Sequence, residues 1–201
     1  QEKFERGFDV AINLWGPDHH AAIGTMKAAL KMLGVEKTFE VLIIQHCRLL
    51  RGGQEVKMSK RAASYVTLRE LMEEVGIDAT RYFFIMRKTK SHLDFDIDVA
   101  KKQSLDNPVY YAQYAHARIA SINRVGVEKG LVDAADVRDG IWQGSFDPSR
   151  LAADEIGLLR ACRGLRRTVE AGARDLDPAL VTDFASFLSG EFQRYYEKNI
   201  V

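Results

Sequence analysis

Two lysines three positions apart, Lys57 and Lys60, bracket Met58 and Ser59 in the run Glu-Val-Lys-Met-Ser-Lys-Arg at 55–61. The run follows an apolar stretch and a Gly52-Gly53 turn and precedes a helix start. Paired ammonium groups on a loop suit the phosphates of a nucleotide. Transfer of adenylate from ATP expels pyrophosphate, negative charge builds on it in the transition state, and fixed cations stabilise that charge. One ion pair at contact distance gains roughly 4 kcal/mol at an effective dielectric of about 20, before desolvation. Lysine pairs on loops are more often solvated surface, so the elements around the pair must carry the reading.

Three further groups have chemistry to offer. Asp18, His19 and His20 are consecutive; adjacent histidines point apart and lack the spacing of a helical zinc site, so no metal site is expected. A hydrogen bond to a nucleotide base or ribose, or simple packing, suits them better. Tyr110, Tyr111 and Tyr114 offer faces on which bases stack, although core and interface aromatics are commoner. Arg160, Arg163, Arg166 and Arg167 wind along a helix, either as a solvated face or as phosphate contacts. His116 reads as structural.

The bulk numbers exclude several classes. With 201 residues the chain buries a sizeable core in one or two domains. A net charge of +1, from 29 basic and 28 acidic residues, argues against a coat for nucleic acid or membrane. The two cysteines, Cys47 and Cys162, are far apart and make no metal spacing, as in a reducing cytoplasm. No apolar run reaches membrane-spanning length. The start, Gln-Glu-Lys-Phe, without an initiator Met or a secretory signal, reads like the inside of a longer protein.

The elements that would position these groups follow from periodicity. Val10, Ile12 and Leu14 alternate as in a strand over 9–15. Gly16-Pro17 breaks it, Asp18 caps a helix carrying Ile23, Met26, Leu30 and Leu33, and Gly34 ends that helix. Residues 41–44 are continuously apolar, as in a parallel strand buried on both faces. This strand–helix–strand unit is half of a doubly wound nucleotide-binding sheet, with 16–20 at its ligand crevice. Arg48 to Leu50 and Gln54 to Val56 flank the double glycine as a hairpin. Thr67 and Glu70 form a capping box for a helix burying Leu68, Leu71, Met72 and Val75. Asp78 caps a second short helix, and 93–98 alternate as a strand or extended edge segment. From residue 107 the chain turns helical. Asn107-Pro108, Asp147-Pro148 and Asp177-Pro178 each place a capping side chain before a proline. The three helices show stripes at Tyr110, Tyr114, Ala117 and Ser121; at Leu151, Leu158, Cys162, Leu165 and Val169; and at Leu180, Phe184, Phe187, Leu188 and Tyr195. Residues 126–144 read as a loop with a short turn of helix. The fold class is α/β, a partial Rossmann-like nucleotide-binding sheet, followed by an all-α helical bundle.

Three stretches then resemble one family along essentially the whole chain: Trp15-Gly16-x-Asp18-His19-His20; Val56-Lys57-Met58-Ser59-Lys60-Arg61-Ala62; and 106–119, Asp-Asn-Pro-Val-Tyr-Tyr-x-Gln-Tyr-Ala-His-Ala-Arg-Ile. They are similar to arginyl-tRNA synthetases of the bacterial type. The lysine motif alone marks a class I aminoacyl-tRNA synthetase; the Asn-Pro-Val-Tyr-Tyr stretch points to arginine. The resemblance implies an ATP-dependent ligase that makes arginyl-adenylate and passes arginine to tRNA-Arg, in the cytoplasm, with Mg2+ carried on the nucleotide. It implies that Lys57 and Lys60 act on the ATP phosphates, with Met58 and Ser59 shaping the loop. Gly16, Asp18, His19 and His20 would line the adenosine side. Tyr110, Tyr114, Arg118, Arg163 and Arg167 are the candidate tRNA contacts. It divides the chain into 1–66, the C-terminal half of the catalytic domain; 67–104, a stem-contacting connection; and 105–201, an incomplete anticodon-binding helical domain. The whole enzyme would be a monomer with no membrane partner, using L-arginine, ATP and tRNA-Arg.

Departures accompany the likeness. Ala63 and Ser64 stand where the family usually has Gly and Asn, and Pro17, Ala21 and Ala22 depart from its Ala-Asp-His-His-Gly-Tyr turn. None of the five histidines falls in a His-x-Gly-His pattern. The expectation is therefore a fragment, inactive by itself. Another class I synthetase, such as one for cysteine, or a non-catalytic tRNA- or protein-binding module of the same fold are the alternatives.

Overall fold

The computed structural model describes residues 2–57, 65–140 and 147–199. The chain divides into two compact units: Gln1–Val66 with Arg87–Ile97, and Thr67–Met86 with Asp98–Val201. The segment 67–104, a single connection in the sequence reading, is thus shared between both.

The first unit begins with a single helical turn, α1 (Glu2–Glu5), then β1 (Val10–Trp15), α2 (Ala22–Met32) and β2 (Thr38–Ile43). β1 and β2 pair in parallel, from Val10 opposite Thr38 to Trp15 opposite Ile43. The expected strand–helix–strand unit is present. The alternation of apolar residues left its facing open. Ala11 is the buried residue of β1, whereas Val10, Ile12 and Leu14 are 49%, 40% and 65% exposed. Ala11, Asn13 and Phe39 border a cavity of about 300 Å³ together with Phe4 of α1 and with Met26 and Leu30 of α2. On the helix side β1 thus presents its small and polar residues, Ala11 and Asn13, beside Phe39 of β2. β2 is half-buried rather than buried on both faces. α2 has no buried residue, and Leu33 is exposed. Asp18 does not cap α2; it lies in a 3-10 turn over Pro17–His19, and α2 starts from Ala21 without a side-chain cap. Gly34, at φ +73°, does end the helix.

The same unit holds β3 (Cys47–Arg51), β4 (Gln54–Glu55) and β5 (Leu93–Asp96). β3 and β4 form the expected antiparallel hairpin. Gly52 and Gly53 turn it at φ +58° and +71°, the left-handed pair that a two-residue hairpin demands. β5 pairs in parallel with β3 on its other side, giving the strand order β4-β3-β5. Leu49 and Phe95, opposite each other, are buried.

The second unit contains α3 (Leu68–Val75), α4 (Ile77–Ile85), α5 (Ile97–Lys101), α6 (Pro108–Glu128), α7 (Ala134–Asp139), α8 (Ala153–Asp175) and α9 (Ala179–Lys198). The capping box of α3 is complete: Glu70 N–H donates to Thr67 Oγ1 at 3.1 Å, and Thr67 N–H donates to Glu70 Oε2 at 2.7 Å. Leu71 is buried there, but Leu68 is exposed. α4 opens from Gly76, not Asp78, which lies in its first turn.

The proline-led starts differ from one another. Asn107 caps α6, which runs through Gly126 to Glu128, into the 126–144 stretch expected as a loop. Asp147 caps only a 3-10 turn, Pro148–Arg150. α8 starts later, where Glu155 Oε2 accepts from the Ala152 N–H at 2.7 Å. Asp177 accepts from the Ala179 N–H at 3.1 Å as α9 begins. α9 packs along both α8 and α6. Gly164 of α8 lies against α9, where an added Cβ would stand 3.0 Å from Phe184 Cε2. The stripes are corrected accordingly. On α6 the buried residues are Val109 and Ala115, and Ala117 is exposed. On α8, Cys162, Leu165 and Val169 face outward. On α9, Phe187 is half exposed.

Candidate functional site

The lysine loop leaves from the hairpin. Val56 N–H donates to Leu49 O at 2.8 Å, extending the β3–β4 pairing by one bond, and Lys57 follows with an exposed side chain. Met58, Ser59 and Lys60 lie outside the described residues. The arrangement hands a cation to solvent from a chain segment pinned one residue before it.

β3 is itself fixed on both faces. Opposite Leu49 and Phe95 lies a fork: Arg48 Nε donates to Asp94 Oδ1 and Arg48 Nη2 to Asp94 Oδ2, both at 2.7 Å. These hydrogen bonds hold the Asp94 carboxyl below its ordinary range, with His92 and Arg87 adding positive charge nearby, and they raise Arg48. Burial, then the Asp94 charge, pushes the Cys47 thiol up, so it is not an activated nucleophile.

Gly16, Asp18, His19 and His20 gather at the turn after β1, all exposed. His19 N–H donates to Gly16 O at 3.1 Å, which closes the turn, and the His19 ring meets Trp15 edge-on at 6.3 Å. Among the described residues no cluster of His, Cys, Asp and Glu is arranged to hold a metal ion.

The aromatic and basic residues of the second unit separate into two groups. Tyr110 and Tyr114 stack at 5.9 Å. Arg118 lies between the rings of Tyr114 and Tyr196, 4.4 Å from each centroid, and donates to the Tyr114 hydroxyl and, at 3.0 Å, to Gln193 Oε1. The guanidinium thereby bridges α6 to α9, a packing role that spacing along α6 alone did not reveal. Arg163 and Arg167 are exposed on α8 and make no ion pair among the described residues; Arg166 is paired with Glu170 at 2.8 Å. Tyr110 also borders a cavity of about 840 Å³ with Glu74, Asp78, Lys101, Lys102 and Gln103.

Comparison with known proteins bears on both parts. A DALR anticodon binding domain model matches residues 112–201, from within α6 to the end of the chain. The arginine–tRNA ligase of Moorella thermoacetica is 46% identical over 197 residues, covering 98% of this chain and 34% of that protein. That of Bacillus subtilis is 46% identical over 198 residues, with the same shares. Over nearly all of its length, the chain is similar in sequence to arginyl-tRNA synthetases. It spans about a third of the length of these relatives. A solved arginyl-tRNA synthetase structure from Campylobacter jejuni superimposes with a TM-score of 0.83 at 33% identity, covering all of this chain and 42% of that one. The Thermus thermophilus arginyl-tRNA synthetase shares the fold at a TM-score of 0.68 and 20% identity, over 96% of this chain and 34% of that one. No helix among the described residues is long and apolar enough to cross a membrane.

Proposed function

We propose that this chain supplies one wall of the ATP site and the anticodon-binding helices of an arginine–tRNA ligase. The reaction activates L-arginine with ATP to arginyl-adenylate, releases pyrophosphate, and esterifies the tRNA-Arg end. The observation that carries the proposal is the pinned hairpin that presents Lys57 at its exit, in a chain whose relatives are named arginine–tRNA ligases. Lys57 and Lys60 neutralise charge on the departing pyrophosphate, with Met58 and Ser59 shaping the loop. Gly16, Asp18, His19 and His20 line the adenosine side, and Mg2+ arrives on the nucleotide.

The β1–α2–β2 unit is part of a Rossmann-like sheet on this reading. The bare apolar face of β1 supports it, since doubly wound sheets carry a layer on each face. The helices from α6 onward take the anticodon side of the tRNA. Their exposed cations at Arg163 and Arg167 suit its phosphates, and the packed Arg118 with Tyr114 holds the surface in shape.

The test uses a full-length synthetase carrying this sequence. Lys57→Ala and Lys60→Ala should each slow arginine-dependent ATP–pyrophosphate exchange by about 100-fold or more, the order seen on removing one charge-stabilising donor. The arginine KM should stay within about 2-fold, as for an interaction made only in the transition state. Unchanged exchange in both variants would remove the phosphate role.

A further inference from the structure

We propose that Arg48 and Asp94 are positioning residues for Lys57, locking the register and orientation of the hairpin that delivers it to the ATP phosphates. The proposal rests on the phosphate role of Lys57 given above.

The support for the lysine loop is slender on its own side. β4 contributes two residue pairs, Leu50 with Glu55 and Arg51 with Gln54, and it is an edge strand. A two-residue strand holds little by itself. Lys57 can therefore be no better placed than β3, to which β4 and the Val56 N–H are bonded. β3 in turn borrows its position from β5, which returns from 46 positions downstream and pairs as Cys47–Leu93, Arg48–Asp94, Leu49–Phe95 and Leu50–Asp96.

Two devices fix that pairing. On one face Leu49 meets the fully buried Phe95. On the other the Arg48 fork takes both carboxylate oxygens of Asp94, directly across the ladder. Apolar contact is tolerant of small slides, whereas a planar fork on a planar carboxylate fixes angle as well as distance. A one-residue slip would put Arg48 opposite Leu93 or Phe95 and turn every side chain to the wrong face. Both partners are about half exposed, 52% and 43% at the side chains. A pair so exposed adds little net stability, so its geometry is the contribution that matters. The depressed Asp94 carboxyl and the neighbouring His92 and Arg87 keep the acceptor ionised for the fork.

The test compares Arg48→Gln, Asp94→Asn and the double variant in a full-length synthetase carrying this sequence, each with Lys57 present and in a Lys57→Ala background. With Lys57 present, the kcat of arginine-dependent ATP–pyrophosphate exchange should fall about 10- to 100-fold, the cost of a misplacement of about 1 Å. The arginine KM should hold within about 2-fold. The double variant should be no worse than the poorer single one. In the Lys57→Ala background the same substitutions should cost clearly less than with Lys57 present, because only Lys60 is then left on the loop to misplace. Arg48→Lys, which keeps the charge without the fork, should fall in between, and it carries the comparison if Arg48→Gln does not fold. Equal losses in both backgrounds would mean a general structural role and overturn the proposal, as would full exchange activity in the fork variants. If Lys57→Ala is itself fully active, the phosphate role fails first and takes this proposal with it, a result separable from the other two.

Discussion

Asn107 is the most sharply testable residue of the helical part. Its side chain is buried and makes bonds in two directions. Oδ1 accepts from the N–H groups of Val109 at 3.0 Å and Tyr110 at 3.5 Å, capping α6. Nδ2 donates to Ala100 O at 3.0 Å and Lys102 O at 2.8 Å, tying the end of α5 to the start of α6. Losing the cap costs about 1 kcal/mol. Leaving each of the two carbonyls without its donor costs about 1 kcal/mol more. Asn107→Ala should therefore destabilise the helical unit by about 3 kcal/mol, a large part of a typical folding free energy of about 5–15 kcal/mol. Asn107→Ser keeps the cap and should cost about 2 kcal/mol. The decisive variant is Asn107→Asp. Aspartate is as good a cap as asparagine, but here it points a second oxygen at two backbone carbonyls. It should cost at least as much as Asn107→Ser. Urea unfolding of the chain, followed by far-ultraviolet circular dichroism and compared at constant m-value, measures all three. An Asn107→Asp chain within about 0.5 kcal/mol of the parent would refute the account, since a cap alone then explains the residue.

Three further outcomes are expected. The Glu70 carboxyl is held below its ordinary value by the Thr67 backbone N–H and then by the Thr67 hydroxyl. A depressed folded-state value means its stabilisation is present above the unfolded value, near pH 4.5, and is lost as pH falls through the folded value. Glu70→Gln should thus lower Tm at pH 7 and converge with the parent on acidification; parallel Tm–pH curves would contradict it. Within α8, Gly157 has open space where a Cβ would stand, whereas Gly164 faces Phe184 at 3.0 Å. Gly157→Ala should stabilise by about 0.5–1 kcal/mol, while Gly164→Ala should give no gain or a loss of about 1 kcal/mol; equal gains in chemical denaturation would show that the α8–α9 approach is looser than described. Finally, binding of tRNA-Arg to this chain should weaken with salt, and Arg163→Ala combined with Arg167→Ala should reduce the slope of log K against log salt by about 2; an unchanged slope would remove these arginines from the phosphate contacts.

Some features of the chain were readable one stretch at a time. The Thr67–Glu70 box, the Gly52-Gly53 hairpin, Gly34 at the end of α2 and the Asn107-Pro108 start all formed as expected, because each depends on residues within about four positions and on backbone angles that few side chains permit. The Lys57 motif and the Asn-Pro-Val-Tyr-Tyr stretch sufficed to point to the arginyl-tRNA synthetases that the comparisons then matched. Facing was a different matter. Alternation told that β1 is a strand, yet Val10, Ile12 and Leu14 face away from α2 while Ala11 and Asn13 share a cavity with it. Period alone cannot say which of two faces meets a neighbour. The same limit misplaced the stripes on α6 and α8. Long-range partners were equally out of reach: no local rule links Arg48 to Asp94, or Arg118 to Tyr196 and Gln193. The sequence by itself determined the Thr67–Glu70 cap, the Gly52-Gly53 turn and the Asn107 helix start, since local sterics and hydrogen bonding decide those. Only the tertiary structure decided what each face is packed against, and hence that the lysine hairpin is gripped by an ion pair from a strand 46 positions away, because a contact between distant segments exists only once the chain between them has folded.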